Sequence, residues 1–124
     1  MGVMDGHGSN EVAQFARDRL PKLITESDEY QQKDYKTALT NAFRTIDNML
    51  KDPKQRLALL DYQHELSASN EIVDPKASKD EQAKDISLHC GCTCNVVLIT
   101  PGTIYCANAG DCRATLLKRT EDNQ

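Results

Sequence analysis

Apolar residues in the first half of the chain recur at the spacing of an α-helix. From Glu11 onward one apolar stripe predicts an amphipathic helix, with Ser9 or Asn10 as its N-cap and with Pro21 expected to kink or divide it. A second stripe after Asp34, another good N-cap, predicts a second helix. Because the connection is short, an antiparallel helix pair is expected on an apolar surface. The stripes are Val12, Phe15, Ala16, Leu20, Leu23 and Ile24, and then Tyr35, Ala38, Leu39, Ala42, Phe43, Ile46 and Leu50.

The middle of the chain becomes steadily more polar. Residues 54–66 predict a third helical segment, with Leu57, Leu60 and Leu66 facing inward. Residues 67–85 carry many charged side chains, and this composition predicts a mobile surface loop or insert.

The last third of the chain consists of apolar, β-branched runs separated by turn signals. Residues 92–100 and 103–107 predict two strands joined by a tight Pro-Gly turn, and residues 114–117 predict a third strand after a break. The opening residues 2–4 predict the end of another strand. Because residues 96–99 are all apolar, the sheet needs cover on both faces, and one helix pair can cover only one of them. The sequence therefore predicts an α+β fold in which antiparallel strands pack against the helix pair.

Composition and charge narrow the classes of function. The 124 residues allow one domain at most, and 15 basic against 19 acidic side chains give a net charge of −4, so a nucleic-acid partner is not expected. No apolar run approaches the ~20 residues that cross a bilayer, and no signal peptide is recognisable, so no membrane partner is expected either. An odd number of cysteines, five, favours reduced thiols and an intracellular location, cytoplasmic or nuclear.

Two short motifs carry candidate chemistry. Asp5-Gly6-His7-Gly8 places a carboxylate, a backbone carbonyl and an imidazole on a turn loosened by glycine. Such oxygen ligands suit Mg²⁺ or Mn²⁺, and His7 can serve as a general acid. Asp111 adds a second carboxylate at a strand break. Taken alone, each motif is more often an ordinary turn or a β-bulge.

Three cysteines form a further candidate site. Cys90, Cys92 and Cys94 alternate along the chain, so in a strand their side chains project to one face, and His89 lies next to them. A zinc or other thiolate site is therefore conceivable. Structural zinc ligands usually follow a Cys-x₂₋₄-Cys spacing, however, and small buried cysteines in a strand are commoner.

Together the motifs resemble those of the metal-dependent protein phosphatase family, protein phosphatase 2C. Residues 2–8 are similar to its Asp-Gly-His-Gly-Gly segment, and residues 91–99 look like its Gly-Ser-Thr-Ala strand. Residues 104–114 resemble its Ala-Asn-Ala-Gly-Asp-Ser-Arg-Ala hairpin, and residues 42–47 resemble its Ala-Phe…Thr-Asp helix. The order and spacing of these segments agree with the family over nearly the whole chain, apart from the polar insert.

The resemblance implies a β-sandwich flanked by helix pairs, with two Mg²⁺ or Mn²⁺ ions at one end. A metal-activated water then hydrolyses phosphoserine or phosphothreonine in protein substrates. By resemblance, Asp5 bridges the two metals, the Gly6 carbonyl ligates one of them and His7 protonates the leaving alkoxide. Asp111 would lie at the acidic edge where some members hold a third metal.

Departures from the family pattern change what is expected of this chain. Ser9 stands where the family usually has Gly, and Cys92, Cys94 and Cys112 replace other small residues. The family's opening strands and its second half, with further metal ligands and a phosphate-binding Arg, have no counterpart here. Residues 1–124 are therefore expected to be a partial phosphatase domain, inactive alone and self-associating through an uncovered sheet face.

Three functions stay open on the sequence alone. The chain is part of a metal-dependent serine/threonine phosphatase, or a non-catalytic module that keeps the helix pair as a docking face, or a thiolate metal-binding module. Recovery of activity with restored flanks favours the first, and a folded monomer without turnover favours the second. Stoichiometric zinc binding that is lost in Cys92→Ser favours the third.

Overall fold

The computed structural model describes residues 1–63 and 69–119, and within them a three-stranded antiparallel sheet packs against helices. The strands, in the spatial order β1-β2-β3, are β1 (Gly2–His7), β2 (Gly91–Thr100) and β3 (Thr103–Ala109). The α-helices are α1 (Glu11–Thr25), α2 (Asp28–Gln31), α3 (Tyr35–Lys51), α4 (Pro53–Arg56), α5 (Ser69–Ile72) and α6 (Lys79–His89), and a 3₁₀ helix covers Leu57–Tyr62.

Helix α1 is a single element, although Pro21 lies within it. Of the two effects expected of Pro21, a kink or a division of the helix, the division is therefore wrong. Leu20 and Ile24, on either side of the proline, are buried in the core. This packing stabilises the helix across the position where the proline removes one backbone donor. Helices α1 and α3 pack against each other, as the two apolar stripes predict.

The two predicted N-caps differ in the structure. Asp34 caps α3, and its carboxylate accepts a hydrogen bond from the Thr37 backbone N–H at 3.2 Å. Asn10 occupies the N-cap position of α1 without a side-chain capping bond. Ser9 is buried, and its hydroxyl donates to the Cys90 Sγ at 3.1 Å. Ser9 therefore ties the start of α1 to the start of β2.

The polar middle of the chain is more regular than its composition predicts. A capping box begins α6, because the Ser78 hydroxyl accepts a bond from the Glu81 N–H and the Glu81 carboxylate accepts one from the Ser78 N–H. Ala83 and Ile86 of this helix are completely buried. The loop predicted over residues 67–85 is therefore wrong where α5 and α6 lie, and its first two residues lie outside the described part.

The third predicted helical segment is short and consists of α4 followed by the 3₁₀ helix. Leu59 is completely buried there, Leu60 is partly buried, and Leu57 is 38% exposed. The prediction that Leu57 faces inward is therefore wrong. A 3₁₀ helix has three residues per turn, so its inward positions differ from those of an α-helix. Leu66, also predicted to face inward, lies outside the described residues.

The helices cover one face of the sheet. Alternate residues of the strands pack into the core beneath α1 and α3, as expected for a strand that buries one side. These residues are Met4, Cys92, Cys94, Val96, Leu98, Tyr105 and Ala107. No helix among the described residues has the length and apolar character needed to cross a membrane.

The other face of the sheet is open in the described part of the chain. Val3, Ile99 and Ile104 on this face are 61%, 68% and 48% exposed. The helices thus cover only one face, as expected of a partial domain, and no second sheet is present among residues 1–63 and 69–119 to form the sandwich that the resemblance implies. Residues 114–117, predicted as a strand, have no regular structure, and β1 provides the third strand instead.

Candidate metal centre

Asp5 lies in strand β1 and faces away from the helices. Met4 and Gly6 on either side pack toward the helices, and Asp5 is opposite Thr93 of β2 in the register of the sheet. Asp5 is exposed, and within the described residues its carboxylate has no hydrogen-bond or ion-pair partner. The carboxylate is therefore available to a ligand on the open face of the sheet.

The turn after Asp5 has room only for glycine at two positions. A Cβ atom on Gly6 would lie 2.8 Å from the carbonyl oxygen of Ser9, and one on Gly8 would lie 2.5 Å from the carbonyl oxygen of His89. Gly8 also has a φ of +78°, in the region that favours glycine. Close packing between the start of α1 and the end of α6 thus holds this turn in one conformation.

His7 lies against Gly91, its partner in the register of β1 and β2. A Cβ atom on Gly91 would come within 2.5 Å of the His7 Nε2 and within 2.8 Å of Cε1. His7 is exposed and borders a cavity of about 540 Å³. The arrangement places a titratable ring two residues from Asp5, in contact with solvent, where it can act as a proton donor or acceptor.

Asp111 follows β3 in a bend that hydrogen bonds define. The Asn108 Nδ2 donates to the carbonyl oxygen of Gly110 at 2.9 Å, and Gly110 has a φ of +90°. A Cβ atom on Gly110 would lie 2.7 Å from the Thr93 methyl group, so the bend lies beside Thr93. Thr93 lies on the central strand β2, with Asp5 opposite it on β1 and the bend beside it at the end of β3. Asp5 and the bend are therefore two strand spacings apart, about 10 Å.

Two polar contacts around this bend join the motif at residues 91–99 to the motif at residues 104–114, and the sequence did not predict either contact. The Thr93 hydroxyl lies 2.9 Å from the Cys112 Sγ, and the Asn95 Nδ2 donates to the Asn108 Oδ1 at 3.0 Å. Asn95 is only 6% exposed. Thr93 and Asn95 are polar residues at alternate positions of an apolar strand, and this spacing was a signal that both face away from the helices.

The donor atoms fit Mg²⁺ or Mn²⁺ in kind. Both ions prefer carboxylate oxygens, and Mg²⁺ usually keeps several waters beside one or two carboxylates. Asp5 and Asp111 are exposed carboxylates of this type. Residues 1–63 and 69–119 nevertheless contain no group of three or more His, Cys, Asp or Glu side chains that could hold a metal ion. The described residues thus offer part of a coordination shell, and the roles of Asp5, Gly6, His7 and Asp111 stay predictions.

The cysteines do not gather into a thiolate site in the described part of the chain. Cys90 and Cys94 are buried, and Cys90 accepts the hydrogen bond from Ser9. Burial raises the pKa of Cys92, and burial with the neighbouring Cys92 and Cys112 thiols raises the pKa of Cys94 to about 11. Because zinc binds thiolates, these raised pKa values favour neutral, packed thiols over metal ligands.

Comparisons with known proteins identify the family. The family model described as protein phosphatase 2C matches residues 1–68 and, in a second match, residues 53–124. The chain is 39% identical to probable protein phosphatase 2C 5 of Paramecium tetraurelia over an alignment of 114 residues. This alignment covers 92% of this chain and 32% of that protein. The chain belongs to the protein phosphatase 2C family.

Further relatives agree with this assignment. Protein phosphatase 2C 1 of Paramecium tetraurelia is 30% identical over 122 residues, covering 98% of this chain and 35% of the relative. Protein phosphatase 2C homolog 3 of Schizosaccharomyces pombe is 31% identical over 114 residues, covering 92% of this chain and 20% of the relative. The chain spans about a third of the length of the Paramecium relatives, and no solved structure matches it.

Proposed function

We propose that this chain is the part of a metal-dependent protein serine/threonine phosphatase that contributes Asp5 and His7 to its active site. The observation that supports this most is the position of Asp5, an exposed carboxylate without a partner in the described residues, two positions from the exposed His7. Both belong to a segment held in one conformation by close packing at Gly6 and Gly8. Membership of the protein phosphatase 2C family supports the choice of reaction.

Each residue has a separate task in this proposal. Asp5 and the carbonyl of Gly6 would hold Mg²⁺ or Mn²⁺, and Asp111 would hold a further ion. A bound ion lowers the pKa of a coordinated water and neutralises charge on the phosphoryl oxygens. His7 donates a proton from its ring to the leaving oxygen of a serine or threonine side chain. Gly91 leaves the space that the ring needs.

The substrates are proposed to be phosphoserine and phosphothreonine proteins, and the site of action is proposed to be intracellular. All five cysteines are free thiols, which supports a reducing compartment. The isolated chain is proposed to be inactive, because the described residues gather no group of three ligating side chains and a two-metal mechanism needs more carboxylates.

The lack of a group of three ligating side chains among the described residues also favours a second candidate, a non-catalytic module derived from a phosphatase. Such a module would use the surface of the α1–α3 pair as a docking face and would require no metal. The two candidates differ in one measurable property, because only the first predicts that Asp5 matters once the remaining two thirds of a family domain are present.

The deciding experiment uses a chimera. Residues 1–124 replace the matching third of protein phosphatase 2C 1 of Paramecium tetraurelia, and hydrolysis of p-nitrophenyl phosphate is measured with Mn²⁺ and with a chelator. The variants are Asp5→Asn and His7→Gln, with Asp61→Asn, an exposed carboxylate on the 3₁₀ helix, as the matched control. Circular dichroism confirms that each protein is folded before its activity is compared.

The phosphatase proposal expects Mn²⁺-dependent turnover in the chimera. Activity should fall by at least about a hundredfold in Asp5→Asn and His7→Gln, in the range typical of acid–base catalysis, and stay unchanged in Asp61→Asn. A folded chimera without turnover, or one indifferent to Asp5→Asn, would support the non-catalytic module instead. Turnover by the isolated chain would contradict only the proposal that it is inactive alone.

A further inference from the structure

Strand β3 forms one edge of the sheet, and no further strand of the described residues pairs with its outer side. Its inner side pairs with β2 along its whole length, without a bulge. The Tyr105 ring of β3 packs against the Tyr35 ring of α3, with their centroids 5.5 Å apart. Residues 110–119 follow β3 without regular structure. The sheet and α3 therefore hold β3 in place while its outer edge stays open.

The register shows which backbone groups of β3 point outward. On the β1 side of the central strand, Met1 and Val97 exchange two backbone hydrogen bonds, at 3.0 and 2.8 Å. The N–H and C=O of Val97 thus point toward β1, so those of Cys106, its partner on β3, point away from β2. This direction alternates along a strand, and Ile104 and Asn108 therefore present their backbone groups to the same outer edge.

The outer edge of β3 lacks the features that usually prevent pairing with another chain. Natural edge strands are commonly protected by charged side chains, prolines or bulges. Residues 103–109 contain no charged side chain and no proline, and their register has no bulge. The other edge strand, β1, carries Asp5 and His7. Of the two edges, β3 is therefore the better template for a further strand.

This edge is complementary to a second copy of itself. An antiparallel pair of β3 strands related by a two-fold axis at Cys106 places each Ile104 opposite the Asn108 of the other copy. All three outward-pointing residues of each strand then form hydrogen-bonded pairs, about six bonds in total. An axis at Tyr105 or Ala107 would leave one of the three without a partner. The arrangement centred at Cys106 therefore satisfies most of the edge.

We infer that two copies of this chain pair through their β3 edges, antiparallel and centred at Cys106, into one continuous six-stranded sheet. The open faces of the two copies lie side by side in this sheet, so the contact differs from association of one face with another. The two Cys106 Cα atoms would lie about 5.5 Å apart, within the range that a disulfide spans. The pairing does not depend on the proposed phosphatase chemistry, because no candidate metal or acid residue lies in β3.

Hydrogen exchange of the 124-residue chain tests the pairing directly. Nuclear magnetic resonance follows single amides at about 20 μM and about 1 mM chain, a range that suits a weak dimer. The amides of Ile104, Cys106 and Asn108 should exchange several-fold more slowly at the higher concentration. The Met4 amide points outward from β1 by the same alternation and is the matched control, whose exchange should stay unchanged.

Two further measurements separate edge pairing from contact between open faces. Cys106→Pro removes the outward N–H but no hydrogen bond to β2, so the folded variant should lose the concentration dependence. Ile99→Lys places a charge on the open face and should keep it. Circular dichroism confirms that both variants are folded.

Oxidation of the thiols tests the register of the pair. Diamide accepts two electrons and two protons from two Cys106 thiols and should leave a disulfide between copies, which peptide mass spectrometry identifies. The matched control is Ile104→Cys in a Cys106→Ser background, an exposed thiol on the same strand. Its two copies would lie about 13 Å apart along the paired strands and should not cross-link.

Unchanged exchange of the three β3 amides at about 1 mM would overturn the inference. Slow exchange at both concentrations would overturn it as well, because another part of the same chain would then cover the edge. Association that leaves these amides unprotected would assign the contact to the open face instead. Equal cross-linking through Ile104→Cys would contradict the pairing centred at Cys106.

Discussion

The imidazole of His7 occupies the space that any side chain on Gly91 would need. The Nε2 lies 2.5 Å from the position of a Cβ atom on Gly91, and the two residues are partners in the register of β1 and β2. The candidate catalytic ring is thus oriented by the absence of a side chain on the neighbouring strand.

We therefore expect Gly91→Ala to destabilise the chain through His7. The added methyl group must displace the ring, and because the ring is the far end of an exposed side chain that can turn aside, this costs only about 0.5–1.5 kcal/mol. In a His7→Ala background the same substitution should cost much less, because no ring is left to displace. Urea unfolding of the four proteins of this double-mutant cycle measures the difference. An equal cost of Gly91→Ala in both backgrounds would contradict the contact.

Alanine substitutions at two glycines with positive φ can distinguish the cost of backbone strain from the cost of steric overlap. Gly8 and Gly102 have φ values of +78° and +85°, but only at Gly8 would a Cβ atom meet close neighbours, with the His89 carbonyl oxygen 2.5 Å away. Gly102→Ala should cost about 1–2 kcal/mol, the strain alone. Gly8→Ala should cost clearly more, because the overlap adds to the strain. Urea unfolding measures both, and similar costs would show that the turn at Gly8 is loosely packed.

Much of the fold follows from local patterns. The helical spacing of apolar residues predicted α1 and α3, and Asp34 marked the start of α3 because its carboxylate caps the helix. The Pro-Gly turn predicted the β2–β3 hairpin, which the register confirms. The prediction failed for α6, where Ser78 and Glu81 form a capping box inside a segment judged only by its polar composition.

The candidate site was less predictable, because it depends on contacts between distant segments. The motif at Asp5 was visible, but the pairing of Asp5 with Thr93 depends on the register of β1 and β2. The hydrogen bond between Asn95 and Asn108 depends likewise on the register of β2 and β3. Single residues on a strand do not specify their partners, so sequence patterns alone did not predict these contacts.

The capping box at the start of α6 gives a pH-dependent contribution to stability. Hydrogen bonds from Ser78 lower the pKa of Glu81 below its ordinary value of 4.5. Since the folded-state pKa is the lower one, the contribution is complete above pH 4.5 and is lost as the pH falls through the folded-state pKa. Glu81→Gln keeps the capping geometry without titrating, so its melting temperature should fall less between neutral and acidic pH.

The control for this pH dependence is Glu71→Gln on α5, an exposed carboxylate outside the capping box. Melting temperatures of the three proteins are measured by circular dichroism from neutral pH to pH values below 4.5. Parallel curves for the wild type and Glu81→Gln would contradict the contribution of Glu81.

Thiol reactivity should follow burial. Cys106 is exposed, whereas Cys94 is 7% exposed and has a pKa raised to about 11 by burial and by the neighbouring Cys92 and Cys112. Because only the thiolate reacts, iodoacetamide at mildly alkaline pH should modify Cys106 first and Cys94 last. Peptide mass spectrometry over time measures the order. In denaturant the two rates should become equal, and early labelling of Cys94 in the folded chain would contradict the structure.

The open face of the sheet predicts that the chain associates with itself. Val3, Ile99 and Ile104 are large apolar residues exposed together on this face, and β1 and β3 are both edge strands. Contiguous apolar surface and unpaired edges favour contact between copies, so sedimentation velocity should detect dimers or larger species as the concentration rises. Ile99→Lys places a charge on the face and should shift the equilibrium toward the monomer. Leu116→Lys, at an exposed apolar residue beyond β3, should leave the equilibrium unchanged, and a monomeric wild-type chain at all concentrations would contradict the prediction.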